Sequence, residues 1–246
     1  MTALSGARYF AAAMANEIVP GVYEVSFRFV HAWVIADDGL TMVDTGLPKR
    51  AQVLMRTVQD LRRQPTDVRT IIVTHHHTDH MGNLAAIKNR TGARVIAHAA
   101  DVPVITGDRP HPGPRKEGFV NKLLGATMGR VGAAEAVSTT VDQQVEDGEE
   151  LAVGNGLRVV HTPGHTPGHI SLLMPSRRLL FAGDAVANLM GLRESPALFT
   201  QDIEQARQSI RKLAELEFDT ACFGHGRVLR GEANLRFRRL VERLSR

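Results

Sequence analysis

The stretch THHHTDH, residues 74–80, sets four histidines and an aspartate directly behind the apolar run TIIV. A folding chain puts such a run inside, so this donor-rich turn is fixed to the end of a buried strand. Within His75-x-His77-x-Asp79-His80, alternate side chains point the same way: His75 and His77 can grip one cation while Asp79 and His80 face a second. Imidazole and carboxylate suit zinc, and also iron or manganese. By the same alternation His76 points away and serves packing or support of the ligands.

Two ions need more donors than one turn supplies, and three further places offer them. HTPGHTPGH, residues 161–169, bends tightly behind the run LRVV; FAGDA ends another run at Asp184; ACFGHG ends a third at His225. Each donor stands beside glycine just past an apolar segment, where a rigid scaffold presents side chains to a shared ion.

The rest of the chain supplies that scaffold. IVPGVYEV, FVHAWVIA and LTMVD read as three strands, with DDG as a hairpin turn between the last two. A helix is expected from Lys49 to Arg63, then the strand TIIVT, a helix over Gly82–Arg90 and the strand ARVIAH. Residues 103–140 break this rhythm and read as an inserted loop and helix. Strands follow at LRVVHT, HISLLMP and RLLFAGD, then a helix at 202–216, the strand DTACFG and a C-terminal helix. Each half repeats strands, helix, strands, and LTMVDTG and LLFAGDA are similar apolar runs ending in an acid. Two β-sheets face to face with helices outside would bury every run and bring the polar loops to one rim.

The 246 residues, 43% of them hydrophobic, are enough for a substantial core, and residues 1–246 are expected to form a single domain. The formal charge of +4 is a mild excess, much of it in RGEANLRFRRLVERLSR, where leucines at helical spacing leave the arginines on a wet face. Nucleic acid is therefore not the expected partner. No apolar segment reaches the length of a membrane span. FAAAMANE resembles a signal cleavage site but follows too short an apolar run, and the single cysteine, Cys222, reads as a small core residue. A cytoplasmic location is expected.

His75-x-His77-x-Asp79-His80, TPGH ending at His165, GD at Asp184 and GH at His225, together with VDTG at 43–46, resemble the metallo-β-lactamase superfamily in its dinuclear hydrolase form. The resemblance runs from about Val22 to Val228. It implies an α/β fold, a four-layer αββα sandwich with the site at the sheet edges, and two divalent cations, zinc first, with iron or manganese as alternatives. Carried over by position, His75, His77 and His165 hold one, Asp79, His80 and His225 the other, and Asp184 bridges both. Asp44 takes a buried scaffold role, hydrogen-bonded to the metal loop, and His169 a structural one. His31 and Trp33 lie where similar enzymes border the pocket. His98, His111 and His161 carry no spacing signal and default to structure or surface.

Two cations about 3.5–4 Å apart share a water and lower its pKa toward neutrality, giving a bridging hydroxide that attacks a carbonyl or phosphoryl group. Asp79 would orient that nucleophile or shuttle its proton. The expected reaction is hydrolysis of a small ester, lactone or thioester. Asp184 speaks against a true β-lactamase. THHHTDH and TPGHTPGH look most like glyoxalase II-type thioesterases and acyl-homoserine lactonases. The 21 residues after His225 leave no room for the extension that holds glutathione, and Ala187 stands where the lactonase has tyrosine. The alternatives are a phosphodiesterase or nuclease of the same fold and an iron-dependent persulfide dioxygenase. The 103–140 insertion reads either as a lid lined by Phe119, Leu123, Leu124 and Met128, or as a dimer contact.

Overall fold

The computed structural model describes residues 16–113 and 136–245. Among the described residues fifteen strands make two mixed sheets and a small hairpin. The first sheet runs β1-β2-β3-β4-β5-β6-β7 and the second β15-β14-β11-β10-β9-β8. The first comprises Asn16–Val19, Val22–Ser26, His31–Ala36, Leu40–Val43, Val68–Ile72, Arg94–His98 and Gln143–Val145 as β1 to β7. In the second, Glu150–Leu151, Leu157–His161, Ile170–Met174 and Leu179–Phe181 are β8 to β11, and Thr220–Cys222 and Leu229–Arg230 are β14 and β15. Val186–Ala187 and Arg193–Glu194 pair as the hairpin β12–β13.

Alternation along the strands builds three apolar layers. Trp33 and Ile35 of β3, Ile72 of β5, Ile170 and Leu172 of β10 and Phe181 of β11 meet between the sheets. Their neighbours face outward, as a period of two requires. Ala32, Val34 and Ile71 meet Leu54, Met55 and Val58 of helix α1 (Ala51–Asp60) and Leu84 and Ile87 of α3 (Leu84–Thr91). Leu173 and Leu180 meet Ile210 and Leu213 of α5 (Ile203–Ala214) and Phe237 and Leu240 of α6 (Ala233–Leu244). Each large side chain buried in this way contributes about 1.5–3 kcal/mol before chain entropy is counted. The order helix, sheet, sheet, helix is the αββα sandwich expected. The described residues also include two single-turn helices, α2 (Thr78–Met81) and α4 (Val102–Ile105).

The expected first strand is a hairpin. Pro20-Gly21 turns the chain between β1 and β2, Gly21 with φ of +74°, and its N–H donates to Glu17 Oε1 at 2.7 Å. The helix expected from Lys49 is α1, shorter at both ends, and α5 starts where Asp202 accepts the Gln205 N–H at 2.9 Å. Strands β7 and β8 were not foreseen. Of the 103–140 insertion, α4 and the stretches 106–113 and 136–140 are described; Phe119, Leu123, Leu124 and Met128 lie outside the described residues. No helix among the described residues is long and apolar enough to cross a membrane.

Candidate metal centre

Four loops reach one rim, each from the end of a strand: 73–83 after β5, 162–169 after β9, 182–185 after β11 and 223–228 after β14. Backbone bonds join the sheets there: Ile170 N–H donates to Thr74 O and His31 N–H to Gly224 O, both at 2.9 Å. The loops gather three sets of donors, each with ligand atoms within 4.8 Å of one another: His75, His77 and His165; His75, His80 and Asp184; Asp79, His80 and His225. All seven side chains singled out as ligands in the sequence thus meet in one place.

The hydrogen bonds around these imidazoles decide which nitrogen is free. Thr74 Oγ1 donates to Asp44 Oδ2 at 2.7 Å, so it accepts from His75 Nδ1 at 3.0 Å, and the His75 Nε2 lone pair faces the centre. His80 Nδ1 donates to Asp44 Oδ2 at 2.8 Å and His225 Nδ1 to Phe29 O at 2.8 Å. Thr200 Oγ1 donates to Pro196 O at 3.1 Å and accepts from His165 Nδ1 at 3.4 Å. In all four rings Nε2 is left as the inward atom. His77 instead turns Nδ1 inward, 3.2 Å from His75 Nε2 and 2.9 Å from His165 Nε2. A single proton on His77 Nδ1 serves only one of those two, so a lone pair remains without a donor. His80 Nε2 and Asp184 Oδ1 are buried and face only each other, at 3.4 Å. Lone pairs converging in a dry place, with carboxylates beside them, fit divalent cations.

The electrostatics divide the centre in two. Burial, then the neighbouring imidazoles, hold His75 and His77 well below the ordinary histidine range, and burial brings His165 to about 4, so this trio is neutral near pH 7. On the other side burial would depress His80, but Asp184, Asp44 and Asp79 outweigh it and raise it well above that range. Asp184 chiefly lifts His225 to about 10. Burial opposes ionisation of Asp184, yet His225 and His80 hold it well below the usual carboxylate range. Its Oδ2 stands 3.4 Å from His165 Nε2 and 3.2 Å from His225 Nε2, and its Oδ1 3.4 Å from His80 Nε2. Asp184 therefore sits between the two groups of donors.

The supports are equally particular. Asp44 takes φ of +62° and is held there by accepting from Thr74 N–H at 2.8 Å, Thr74 Oγ1 and His80 Nδ1. His169 accepts the Asp184 N–H at Nε2, 2.8 Å away, and meets Thr162 Oγ1 at 2.8 Å through Nδ1. Gly183, φ +53°, leaves room for that ring. A Cβ on Gly224 would fall 2.0 Å from Asp184 Oδ1 and 2.4 Å from the His80 ring, so only glycine passes behind these two residues.

Trp33 is a correction. It does not border a pocket but lies 2% exposed between the sheets, its ring 6.1 Å from that of Phe181, because β3 turns odd-numbered residues inward. His31, at the rim end of the same strand, is engaged by Glu24, whose Oε1 is 2.9 Å from its Nδ1. His98 and His161 stack face to face, ring centres 3.9 Å apart, away from the seven. Two residues with no signal in the sequence touch the centre's framework. Asp101 holds the His76 peptide, and His111, of the insertion, brings Nε2 within 2.6 Å of His76 O.

A two-sheet sandwich whose rim converges imidazoles and carboxylates onto a buried aspartate is the scaffold of a metal-dependent hydrolase. The chain matches the sequence profile of the metallo-beta-lactamase superfamily over residues 25–225, and it belongs to that family. It is 31% identical over 235 residues to the probable metallo-hydrolase YflN of Bacillus subtilis, covering 88% of each chain. It is 30% identical over 223 residues to a hydroxyacylglutathione hydrolase of Pseudomonas aeruginosa, covering 88% of this chain and 68% of that one. Among solved structures, a metallo-beta-lactamase from Cronobacter sakazakii superposes with a TM-score of 0.64 at 26% identity, over 85% of this chain and 79% of that one. A metallo-beta-lactamase family protein of Thermus thermophilus shares the fold with a TM-score of 0.70 at 24% identity, over 93% and 81%.

Proposed function

We propose that the chain hydrolyses a small ester, lactone or thioester with two divalent cations, zinc before iron or manganese. The observation that carries this reading is the pair of donor groups sharing Asp184: His75, His77 and His165 on one side, Asp79, His80 and His225 on the other. Cations bound there supply acidified water at neutral pH and a charge that polarises the substrate's carbonyl.

The residues of the chain do the rest. Asp44, Thr74, Thr200 and the Phe29 carbonyl keep four imidazoles in the tautomer that presents Nε2. His169 fixes the Asp184 backbone. Asp79 Oδ2 lies 3.2 Å from His225 Nε2, and this partly exposed carboxylate can hold the proton taken from the attacking water and return it to the leaving group. Three exposed apolar residues belong to the backbone segments that meet His225: Phe29, whose carbonyl it binds, and Leu189 and Met190, which follow Asn188, whose N–H donates to the His225 carbonyl at 3.0 Å. They favour a substrate with an apolar part, as an acyl ester, lactone or thioester has.

A substrate panel on protein of measured metal content tests the reading. Turnover of lactones or thioesters by protein holding two zinc ions per chain is expected. Turnover of bis-p-nitrophenyl phosphate alone, or a single iron per chain with no hydrolysis, overturns it.

A further inference from the structure

The seven donors come from loops on two different sheets, and a cation shared by them requires those loops to keep register to a fraction of an ångström. His75 and His77 follow β5 of the first sheet; His165 follows β9 of the second. Apolar packing between the sheets holds them face to face but is not directional. Register has to come from polar bonds at the rim.

Apart from the donors themselves, one buried side chain joins the two loops. Asp101, in the turn between β6 and α4, is 1% exposed. Its Oδ2 accepts the His76 N–H at 2.9 Å and the Thr166 hydroxyl at 2.8 Å, and its Oδ1 accepts the Gly168 N–H at 2.7 Å. The His76 ring places Nδ1 3.0 Å from the same Oδ2. Every partner is a sequence neighbour of a functional residue: His76 lies between His75 and His77, Thr166 follows His165, and Gly168 precedes His169, which positions Asp184. Burial opposes ionisation of Asp101, but the bonds from His76, Thr166 and Gly168 outweigh it and keep its carboxyl below the ordinary range.

We propose that Asp101 is the positioning residue of the His75, His77 and His165 cation site, tying the two loops that supply it. The proposal rests on the two-cation reading above. It assigns no such task to Asp101 for the other side, because none of its three hydrogen bonds goes to residues 79, 80 or 225 or their immediate neighbours.

The chemistry of the carboxylate makes the substitution informative. An asparagine at 101 has one acceptor oxygen, so it can serve either His76 and Thr166 or Gly168 but not all three, and whichever way the amide turns, its NH2 faces an N–H donor of one of the two loops, while its volume is nearly unchanged. The test uses zinc itself, titrated against a chromophoric chelator, in two backgrounds. His225→Ala disables the second donor group and His77→Ala the first. Asp101→Asn is expected to weaken zinc about 10–100-fold in the His225→Ala background, the range for partners that orient ligands, and to leave the affinity in the His77→Ala background within about two-fold. Thermal unfolding of each variant is read alongside. Equal losses in both backgrounds, or a lower melting temperature with zinc affinity unchanged, would mean Asp101 only stabilises the fold, and the proposal is overturned. Asp101→Ala, which removes both acceptor oxygens, is expected to weaken zinc at least as much in the His225→Ala background; if it does not fold, Asp101→Asn alone decides. Should the unaltered protein hold no zinc, the two-cation reading fails with it; two zinc ions in the parent and no loss from either variant sinks only the role of Asp101.

Discussion

The two donor groups are built to different standards. His75 and His165 are buried and, with His77, stay neutral, and their loops are tied to each other through Asp101. The second group has one fully buried member, His80; Asp79 and His225 have side chains 30% and 25% exposed, and His225 depends on the carbonyl of Phe29, itself a 69% exposed residue. One half of the centre is thus an extension of the core and the other belongs to the surface. Rigidity on one side and access on the other is a sensible division where a substrate has to enter beside one cation without disturbing its twin.

Removing the shared member should abolish the distinction altogether. Asp184→Asn is expected to cost more than about 100-fold in turnover, beyond the range for residues that merely orient ligands, with both cation affinities reduced. Zinc content and kcat/KM check it, and an effect confined to one ion would break the comparison. Next comes the order of loss. In a stepwise chelator titration the cation at Asp79, His80 and His225 should leave first, and a variant His225→Ala should bind one zinc with the affinity of the tighter native step. Release in the reverse order contradicts the assignment of exposed and buried halves.

Asp44→Ala should follow, at about 10–100-fold in turnover, because it frees both the Thr74 hydroxyl and His80 Nδ1. It acts on both sides, so it should weaken both cations, unlike Asp101→Asn. The smallest effect is expected from His111→Ala. The bond it removes, from Nε2 to the His76 carbonyl, is made by an exposed residue, and a loss of less than about ten-fold in turnover with little change in melting temperature is anticipated. A larger loss would place the insertion within the working half of the molecule.

What could be read in the sequence was whatever sat immediately behind an apolar run. Asp184, His165 and His225 each carry that mark, as does THHHTDH, since strand ends are where a sandwich exposes its loops. The αββα order followed from the same runs. Asp101 escaped notice because it stands in HAAD, one acid after two alanines, with no second donor at a telling interval. Its importance comes from where β6 delivers it relative to loops 25 and 65 or more residues away. Trp33 was misplaced for the opposite reason: its position near the rim was legible, but which face of β3 it takes depends on register with β2 and β4. The turn at Pro20-Gly21 was passed over because apolar residues flank it on both sides and mimic one long strand.

Gly224 carries a consequence of its own. The backbone there runs so close to Asp184 and His80 that the smallest side chain would have to displace one of them, while nothing in the apolar layers depends on the position. Alanine at 224 should therefore give a protein that survives heating nearly as well as its parent and yet has lost its chemistry. A residue with no functional group at all would then be one that the site cannot exchange.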